Sequence, residues 1–202
     1  MKWLWILVVM VLASCTELPE VSEHTLHYKN AKSLSAFELY DQHQQMVTNK
    51  DLKGQWTLVF LGYTHCPDIC PMTLAKLSQV YDQLQVNNKL TVWFISVDPN
   101  RDDASKRRAY IDYFNKEFKG LSNVHAQLFP LVRNMGLIYA ISNSDQPDYY
   151  VDHSASVALI NPQGNLSAIF KAKFLAGEVP LIDASLIAED FQIIAAQYAN
   201  KF

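Results

Sequence analysis

The sequence predicts an α/β fold, with a central mixed sheet flanked by helices. Two apolar runs with the β-branched and aromatic content of buried strands, residues 56–61 and 90–97, are each followed by a segment with helical spacing. The first helical segment repeats its apolar residues every three or four positions from Leu74 to Leu84, and the second covers residues 104–118. This alternation of strand and helix is typical of a sheet covered on both faces.

The remaining elements are shorter, and turn-forming residues separate them. In chain order they are an N-terminal β-hairpin at residues 37–40 and 45–48, a short helix at 129–135, a strand at 137–141, a second hairpin at 156–160 and 166–170, and a final helix at 181–198. No internal repeat or low-complexity tract marks a second domain. We therefore expect one domain over residues 36–202.

The first residues have the pattern of a processing segment. Lys2 gives a positive start, and the apolar stretch at residues 3–12 is shorter than the ~20 residues that a membrane-spanning helix needs. Residues 12–15, with the sequence Leu-Ala-Ser-Cys, resemble a bacterial lipobox, in which the cysteine is lipidated and becomes the new N-terminus. The alternative is an ordinary signal peptide, or an uncleaved anchor with an incidental cysteine.

Lipidation of Cys15 would divide the chain into three parts. The sequence predicts a lipoprotein signal peptide at residues 1–14, a flexible tether at residues 15–35, where the chain is polar and aperiodic, and the domain already described. The chain has 3 Cys, so lipidation of Cys15 leaves the other two as an isolated pair. We therefore expect a protein held by lipid to the membrane on the periplasmic side of the cell envelope.

Composition restricts the class of partner. Hydrophobic residues make up 50% of the chain, which is enough for one domain with a sizeable core. The formal net charge of -3 and the pI of about 6.0 show no basic field of the kind that nucleic-acid binding requires. Nucleic acid is therefore excluded as a partner.

The two remaining cysteines, Cys66 and Cys70, lie at the junction between the first buried strand and its helix. If the first turn is helical, residues at this spacing share one face with Cβ atoms about 5–6 Å apart, which permits either a disulfide or a shared metal ion. The positive end of the helix favours the thiolate, which is both nucleophile and metal ligand. The pair therefore predicts redox chemistry, soft-metal binding or both, and a purely structural disulfide is the alternative.

Three sequence blocks resemble the Sco/SenC family, thioredoxin-like proteins that bind copper and assist assembly of the CuA site of cytochrome c oxidase. The block GYTHCPDICP at residues 62–71 is similar to the family signature, and SVDPNRD at residues 96–102 is similar to its segment after the second core strand. The block VDHS at residues 151–154 is similar to its metal-histidine segment. The resemblance extends over residues 37–202, and it implies a thioredoxin-like fold.

The same resemblance implies a copper site formed by Cys66, Cys70 and His153. Two thiolates suit Cu(I), and an added imidazole gives a site that also accepts Cu(II). Asp152 is expected either to orient the imidazole of His153 or to be an exposed carboxylate or loop cap. When copper is absent, we expect the two cysteines to form a disulfide in an oxidising compartment.

The function implied is that of a metallochaperone, which delivers copper to the CuA site of cytochrome c oxidase subunit II or a similar acceptor and depends on a thiol reductant. The main alternative is a thiol-disulfide oxidoreductase, with Cys66 attacking and Cys70 resolving, that reduces the oxidase subunit or another extracytoplasmic protein. Weaker alternatives are a thiol peroxidase, a redox sensor or a stapled interaction domain. The spacing Cys-x-x-x-Cys and the His153 segment favour the metal.

Overall fold

A six-stranded mixed sheet forms the centre of the computed structural model, which describes residues 19–142 and 148–201. Side by side, its strands are β1 (Thr25–Ser33), β10 (Asn165–Phe170), β9 (Val157–Ile160), β4 (Trp56–Gly62), β5 (Leu90–Ser96) and β6 (Lys119–Leu121). β4, β5 and β6 are parallel, whereas β9 is antiparallel to both β4 and β10, and β1 is antiparallel to β10. Two hairpins lie outside this sheet, β2 (Glu38–Tyr40) with β3 (Met46–Thr48) and β7 (Tyr139–Ile141) with β8 (Val151–His153).

Four helices cover the two faces of the sheet in the described part of the chain. They are α1 (Ile69–Leu84), α2 (Ala104–Phe114), α3 (His125–Asn134) and α4 (Ala184–Ala199). On one face, α1 packs against α2 and α4, and Trp56 of β4 meets Phe191 of α4 with ring centroids 5.3 Å apart. On the other face, Trp93 of β5 lies beside Leu131 of α3. Every residue of β4 and β5 is buried, as expected for central strands that are covered on both sides.

The structure confirms most of the predicted elements. The N-terminal hairpin, the two buried strands, the hairpin of β9 and β10 and the final helix all form within a few residues of the expected limits. The second helix is shorter than predicted, because Asn115 has an extended backbone with φ of -165° and ends α2 there. The α/β prediction, with its central mixed sheet, is therefore confirmed.

The predicted tether at residues 15–35 is wrong for Thr25–Ser33, which forms strand β1 at the edge of the central sheet. Leu26 is 43% exposed even though its backbone pairs with Ile169 of β10. An edge strand of this kind keeps polar side chains because much of its surface stays in water. The polar, aperiodic pattern of Thr25–Ser33 therefore belongs to an exposed edge strand and not to a linker.

The N-terminal predictions fall on residues that the structure does not describe. The signal peptide at residues 1–14 and Cys15 both lie outside the described ranges. Within residues 19–142 and 148–201, none of the helices has the length and hydrophobicity that crossing a bilayer requires.

The ends of β4 and β5 bring the sequence blocks of interest to one edge of the sheet. Gly62, the last residue of β4, pairs with Ser96, the last residue of β5. The loop to α1 starts at the first of these residues and the loop to α2 starts at the second. In open α/β sheets, the carboxyl ends of parallel strands are where ligand sites usually form.

Candidate metal centre

The structure brings Cys66, Cys70 and His153 together at this edge. Their ligand atoms all lie within 4.8 Å of one another, and Cys70 Sγ is 3.3 Å from His153 Nε2. Both cysteines are free thiols in this arrangement. Among the described residues, this is the one group of three or more Cys, His, Asp or Glu side chains with metal-binding geometry.

The two sulfurs meet because a tight turn connects β4 to α1. Cys66 N donates a hydrogen bond to Tyr63 O at 3.2 Å, which folds the chain back before the helix begins at Ile69. Cys70 N then donates to Cys66 Sγ at 3.4 Å. The Cys70 N–H has no acceptor within the first turn of the helix, so it points at the Cys66 sulfur and favours a negative charge there.

Gly62 provides the space that the Cys70 side chain occupies. A Cβ atom at residue 62 would lie 2.6 Å from Phe94 Cε2 and 2.8 Å from Cys70 Sγ, which is closer than any ordinary contact. Phe94 and Cys70 are both fully buried, so neither side chain can move away freely. The glycine is required here by close packing.

We expect Gly62→Ala to lower the free energy of unfolding by about 1–3 kcal/mol, because it forces a methyl group into a filled core. It should also displace Cys70 and weaken metal binding. Urea unfolding of the reduced protein measures the first effect. Combining it with Phe94→Leu, which removes the contacting ring atom, should recover part of the loss; full stability of the single variant would contradict this packing argument.

Asp102 fixes the turn that precedes Cys66. Its fully buried carboxylate accepts hydrogen bonds from Thr64 N at 2.8 Å and from Thr64 Oγ1 and Ser96 Oγ, each at 2.6 Å. Loss of a buried acceptor of this kind leaves several donors unpaired, at a cost of about 1–3 kcal/mol each. Asp102 therefore joins the cysteine loop rigidly to the end of β5.

His153 reaches the sulfurs from strand β8, and not from a loop as the sequence suggested. Its Nδ1 lies 3.1 Å from Ser154 O, and a carbonyl can only accept, so the ring carries its proton on Nδ1. Nε2 is then left with a free lone pair facing Cys70. The ring packs edge-on against Phe60 and Tyr63, with centroids 5.8 and 6.1 Å away.

The structure does not give Asp152 the orienting role that was one of the two expectations for it. Adjacent residues of a strand point to opposite faces, so Asp152 is exposed while His153 is turned toward the cysteines. The backbone carbonyl of Ser154 holds the imidazole instead. The other expectation, an exposed carboxylate, agrees with the structure.

A second cluster, which was missed in the sequence, ties the segment before His153 to the cysteine side of the site. The Tyr149 hydroxyl and Arg101 Nε both donate to the buried carboxylate of Asp98. The Arg101 guanidinium also lies 3.5 Å from the centroid of the Tyr149 ring. The block SVDPNRD signalled that this loop mattered, but nothing in the sequence showed that Asp98 pairs with a residue 51 positions away.

The two thiols differ strongly in acidity. A hydrogen bond from the Cys70 thiol, opposed by partial burial, lowers the pKa of Cys66 from 9.0 to about 4. Burial raises the pKa of Cys70 well above its usual range, and the neighbouring sulfur of Cys66 adds to this. At neutral pH the reduced pair therefore holds one thiolate, on the partly buried Cys66, and one thiol, on the fully buried Cys70.

We expect reduced Cys66 to react with iodoacetamide at a nearly constant rate from about pH 8 down to about pH 5, because its thiolate fraction stays near one above its pKa. Cys70 should stay unmodified. Mass spectrometry after timed quenching gives both rates. Cys70→Ala removes the main hydrogen-bond donor, so in that variant the rate at Cys66 should fall as pH falls below 8. The same decline in the unaltered protein would exclude the lowered pKa.

The chain is similar in sequence to several known proteins. A sequence profile of the SCO1/SenC family matches residues 27–179. The chain is 32% identical over 152 residues to a SCO2-like protein of Rickettsia felis, covering 73% of this chain and 74% of that protein. It is 39% identical over 132 residues to the mitochondrial SCO2 homologue of mouse, covering 63% of this chain but only 52% of the mouse protein. The chain thus spans about half the length of that relative.

Two solved structures with copper bound are similar to the chain. ScoI of Arabidopsis thaliana has a TM-score of 0.70 at 29% identity, covering 82% of this chain and 99% of that one. ScoI of Bradyrhizobium japonicum has a TM-score of 0.65 at 31% identity, covering 80% and 99%. These similarities confirm the predicted thioredoxin-like fold.

Proposed function

Because this chain belongs to the SCO1/SenC family, we propose that it binds one copper ion through Cys66, Cys70 and His153 and delivers it to the CuA site of a respiratory oxidase. One observation carries the proposal: two sulfurs and one imidazole nitrogen lie within 4.8 Å of one another. The relatives with copper bound support the choice of metal.

The donor set fits copper better than the other common soft-site metal. Two thiolates match Cu(I), and the imidazole adds the nitrogen donor that Cu(II) prefers. A structural zinc site usually has four protein ligands, and the metal-binding group here has three. Three ligands leave one side of the ion open, and Cys66, which is only partly buried, can be approached by an acceptor ligand.

Each residue contributes a separate step to loading and release. The thiolate of Cys66 is ready to capture the ion, and Cys70 gives up its proton when the ion takes that proton's place between the sulfurs. His153 presents Nε2 without rearrangement because Ser154 O holds its other nitrogen. An acceptor that offers stronger or more numerous ligands can then displace these three in turn.

We expect oxidation to abolish copper loading, because a Cys66 to Cys70 disulfide removes both sulfurs as metal ligands. Forming that bond from one thiolate and one thiol removes two electrons and one proton, so an external dithiol must return the two electrons before each loading. The test oxidises the protein, confirms the bond by mass spectrometry, and titrates copper before and after reduction. Stoichiometric binding with the same affinity in both states would place the copper ligands elsewhere.

The competing function is thiol-disulfide exchange, which the low pKa of Cys66 also favours. The two functions differ in what leaves the protein: a copper ion in one case, and a pair of electrons in the other. The test mixes the copper-loaded protein with a reduced apo CuA domain and, separately, the reduced copper-free protein with the oxidised domain. Copper transfer in the first mixture supports the chaperone; reduction in the second mixture without transfer in the first supports the oxidoreductase.

We also propose that the protein is anchored to the membrane by a lipid. A lipid on Cys15 would hold the domain at the membrane, in the compartment where the CuA site is assembled. Cys15→Ser should then release the protein from the membrane fraction. A variant that is processed and retained as before would exclude the lipid anchor.

A further inference from the structure

The end of the domain opposite the metal centre carries a cluster of exposed lysines, here called the basic pole. Its members come from β1, from the turns that precede β4 and β5, and from the segment after α4. They are Lys29, Lys32, Lys50, Lys53, Lys89 and Lys201. The carboxylates of Glu20, Asp51, Asp82 and Glu117 lie at the same end, and Asp51 accepts a hydrogen bond from Thr48 N. Six lysines therefore stand against four carboxylates, and positive charge is in excess there.

Backbone contacts bring these segments together. Lys201 Nζ donates to Lys29 O at 2.8 Å, which joins the segment after α4 to β1. Trp56 N, at the start of β4, donates to Lys89 O at 2.8 Å. Gly54 N donates to Pro162 O, also at 2.8 Å, so the turn that carries Lys50 and Lys53 packs against the turn between β9 and β10.

The N-terminal segment leads to the same pole. Ser22 and Thr25 donate three hydrogen bonds to the buried carboxylate of Asp190, in the middle of α4. The residues before Ser22 lie along α4 toward its C-terminal end. Pro19 O lies 3.5 Å from Gln197 Nε2, in the last turn of that helix. The described chain therefore begins at the end of the domain away from the metal centre.

This placement limits where a bilayer can lie. Four Cα steps join Cys15 to Pro19, so a lipid on Cys15 starts within about 14 Å of Pro19, which lies beside the last turn of α4. Strand β4 separates that pole from the metal centre, and its seven residues extend over about 23 Å. Exposed lysines near a membrane are attracted to anionic headgroups, and each strengthens binding by about fivefold.

From these contacts we infer that the basic pole rests on anionic lipid headgroups and holds the metal centre away from the membrane. The inference rests on the lipid anchor of the proposed function but not on copper binding. The acceptor must then present its metal ligands on a domain that projects into the aqueous phase, at roughly the height of one strand above the bilayer.

Lysine labelling of the full-length lipidated protein tests this orientation. The protein is reconstituted into phosphatidylcholine vesicles with or without phosphatidylglycerol, labelled with a water-soluble amine reagent, and analysed by mass spectrometry. On anionic vesicles, labelling of Lys29 and Lys53 should fall by about fivefold or more, and ~1 M salt should restore it. Lys106 and Lys171, which lie at the metal end, should be labelled equally on both kinds of vesicle.

Matched charge reversals sharpen the test. Lys29→Glu with Lys53→Glu should abolish the protection of Lys201, whereas Lys106→Glu with Lys171→Glu, the same change in charge, should leave it intact. Equal labelling on both vesicles, or protection of the metal end, would overturn the inference. Loss of the protein from vesicles at high salt would remove the anchor and the inference with it. Copper titration of the same samples reports separately on the metal centre.

Discussion

Cys70→Ser is expected to lower copper affinity by more than about a hundredfold, because removing a ligand costs more than removing a residue that only supports one. The hydroxyl is a hard donor that stays protonated, whereas Cu(I) selects soft thiolates. Cys70 is fully buried and its sulfur lies 3.3 Å from His153 Nε2, so no neighbouring side chain can replace it without movement. Competition titration with a Cu(I) chelator measures the loss.

The fold should survive this change, since serine is slightly smaller than cysteine and its hydroxyl can still donate to Cys66. The denaturation midpoint of Cys70→Ser serves as the control, together with Cys66→Ser, which should lose copper to a similar degree. Retention of the original Cu(I) affinity by either variant would remove that cysteine from the site.

His153→Ala should separate the two oxidation states of copper. Without the imidazole, the thiolates of Cys66 and Cys70 still hold Cu(I), but Cu(II) lacks its nitrogen donor. We expect Cu(II) affinity to fall by at least about tenfold more than Cu(I) affinity. Parallel competition titrations for the two ions give the ratio.

His65→Ala is the matched control for this variant. His65 is adjacent to Cys66, but its Nδ1 lies 3.6 Å from Asp102 Oδ1 and 3.2 Å from Thr64 Oγ1, on the turn and away from the sulfurs. It should keep the affinity for both ions. An equal loss for Cu(I) and Cu(II) in His153→Ala would exclude the imidazole as a direct ligand of Cu(II).

The fold could be predicted where local pattern and burial agree. Trp56–Gly62 and Leu90–Ser96 are buried on both faces, so their sequences are almost wholly apolar and are easily identified as strands. Strand β1 could not be predicted in the same way. Its pairing with β10 spans more than 130 residues, and its exposed face leaves no apolar alternation to detect.

For the candidate site too, local features could be predicted from the sequence and long-range contacts could not. The proximity of Cys66 and Cys70 was predicted on the condition of a helical first turn, but Cys66 lies before α1 begins at Ile69. The turn closed by the hydrogen bond from Cys66 N to Tyr63 O brings the two sulfurs together instead. The roles of Gly62 and Asp102 depend on contacts with Phe94 and with Thr64, 38 positions from Asp102, which only the folded chain creates. The backbone carbonyl of Ser154, and not Asp152, orients the imidazole of His153. The direction of a backbone carbonyl cannot be predicted from the sequence.

X-ray absorption at the copper edge is the most direct test of the proposed centre. The full-length protein is reduced, loaded with one equivalent of copper, and compared with Cys66→Ser, Cys70→Ser and His153→Ala. Two sulfur neighbours and one nitrogen neighbour are expected in the unaltered protein, with one sulfur lost in each cysteine variant and the nitrogen lost in the histidine variant. Copper surrounded only by oxygen and nitrogen, or a spectrum that none of the three substitutions changes, would contradict a copper centre made of Cys66, Cys70 and His153.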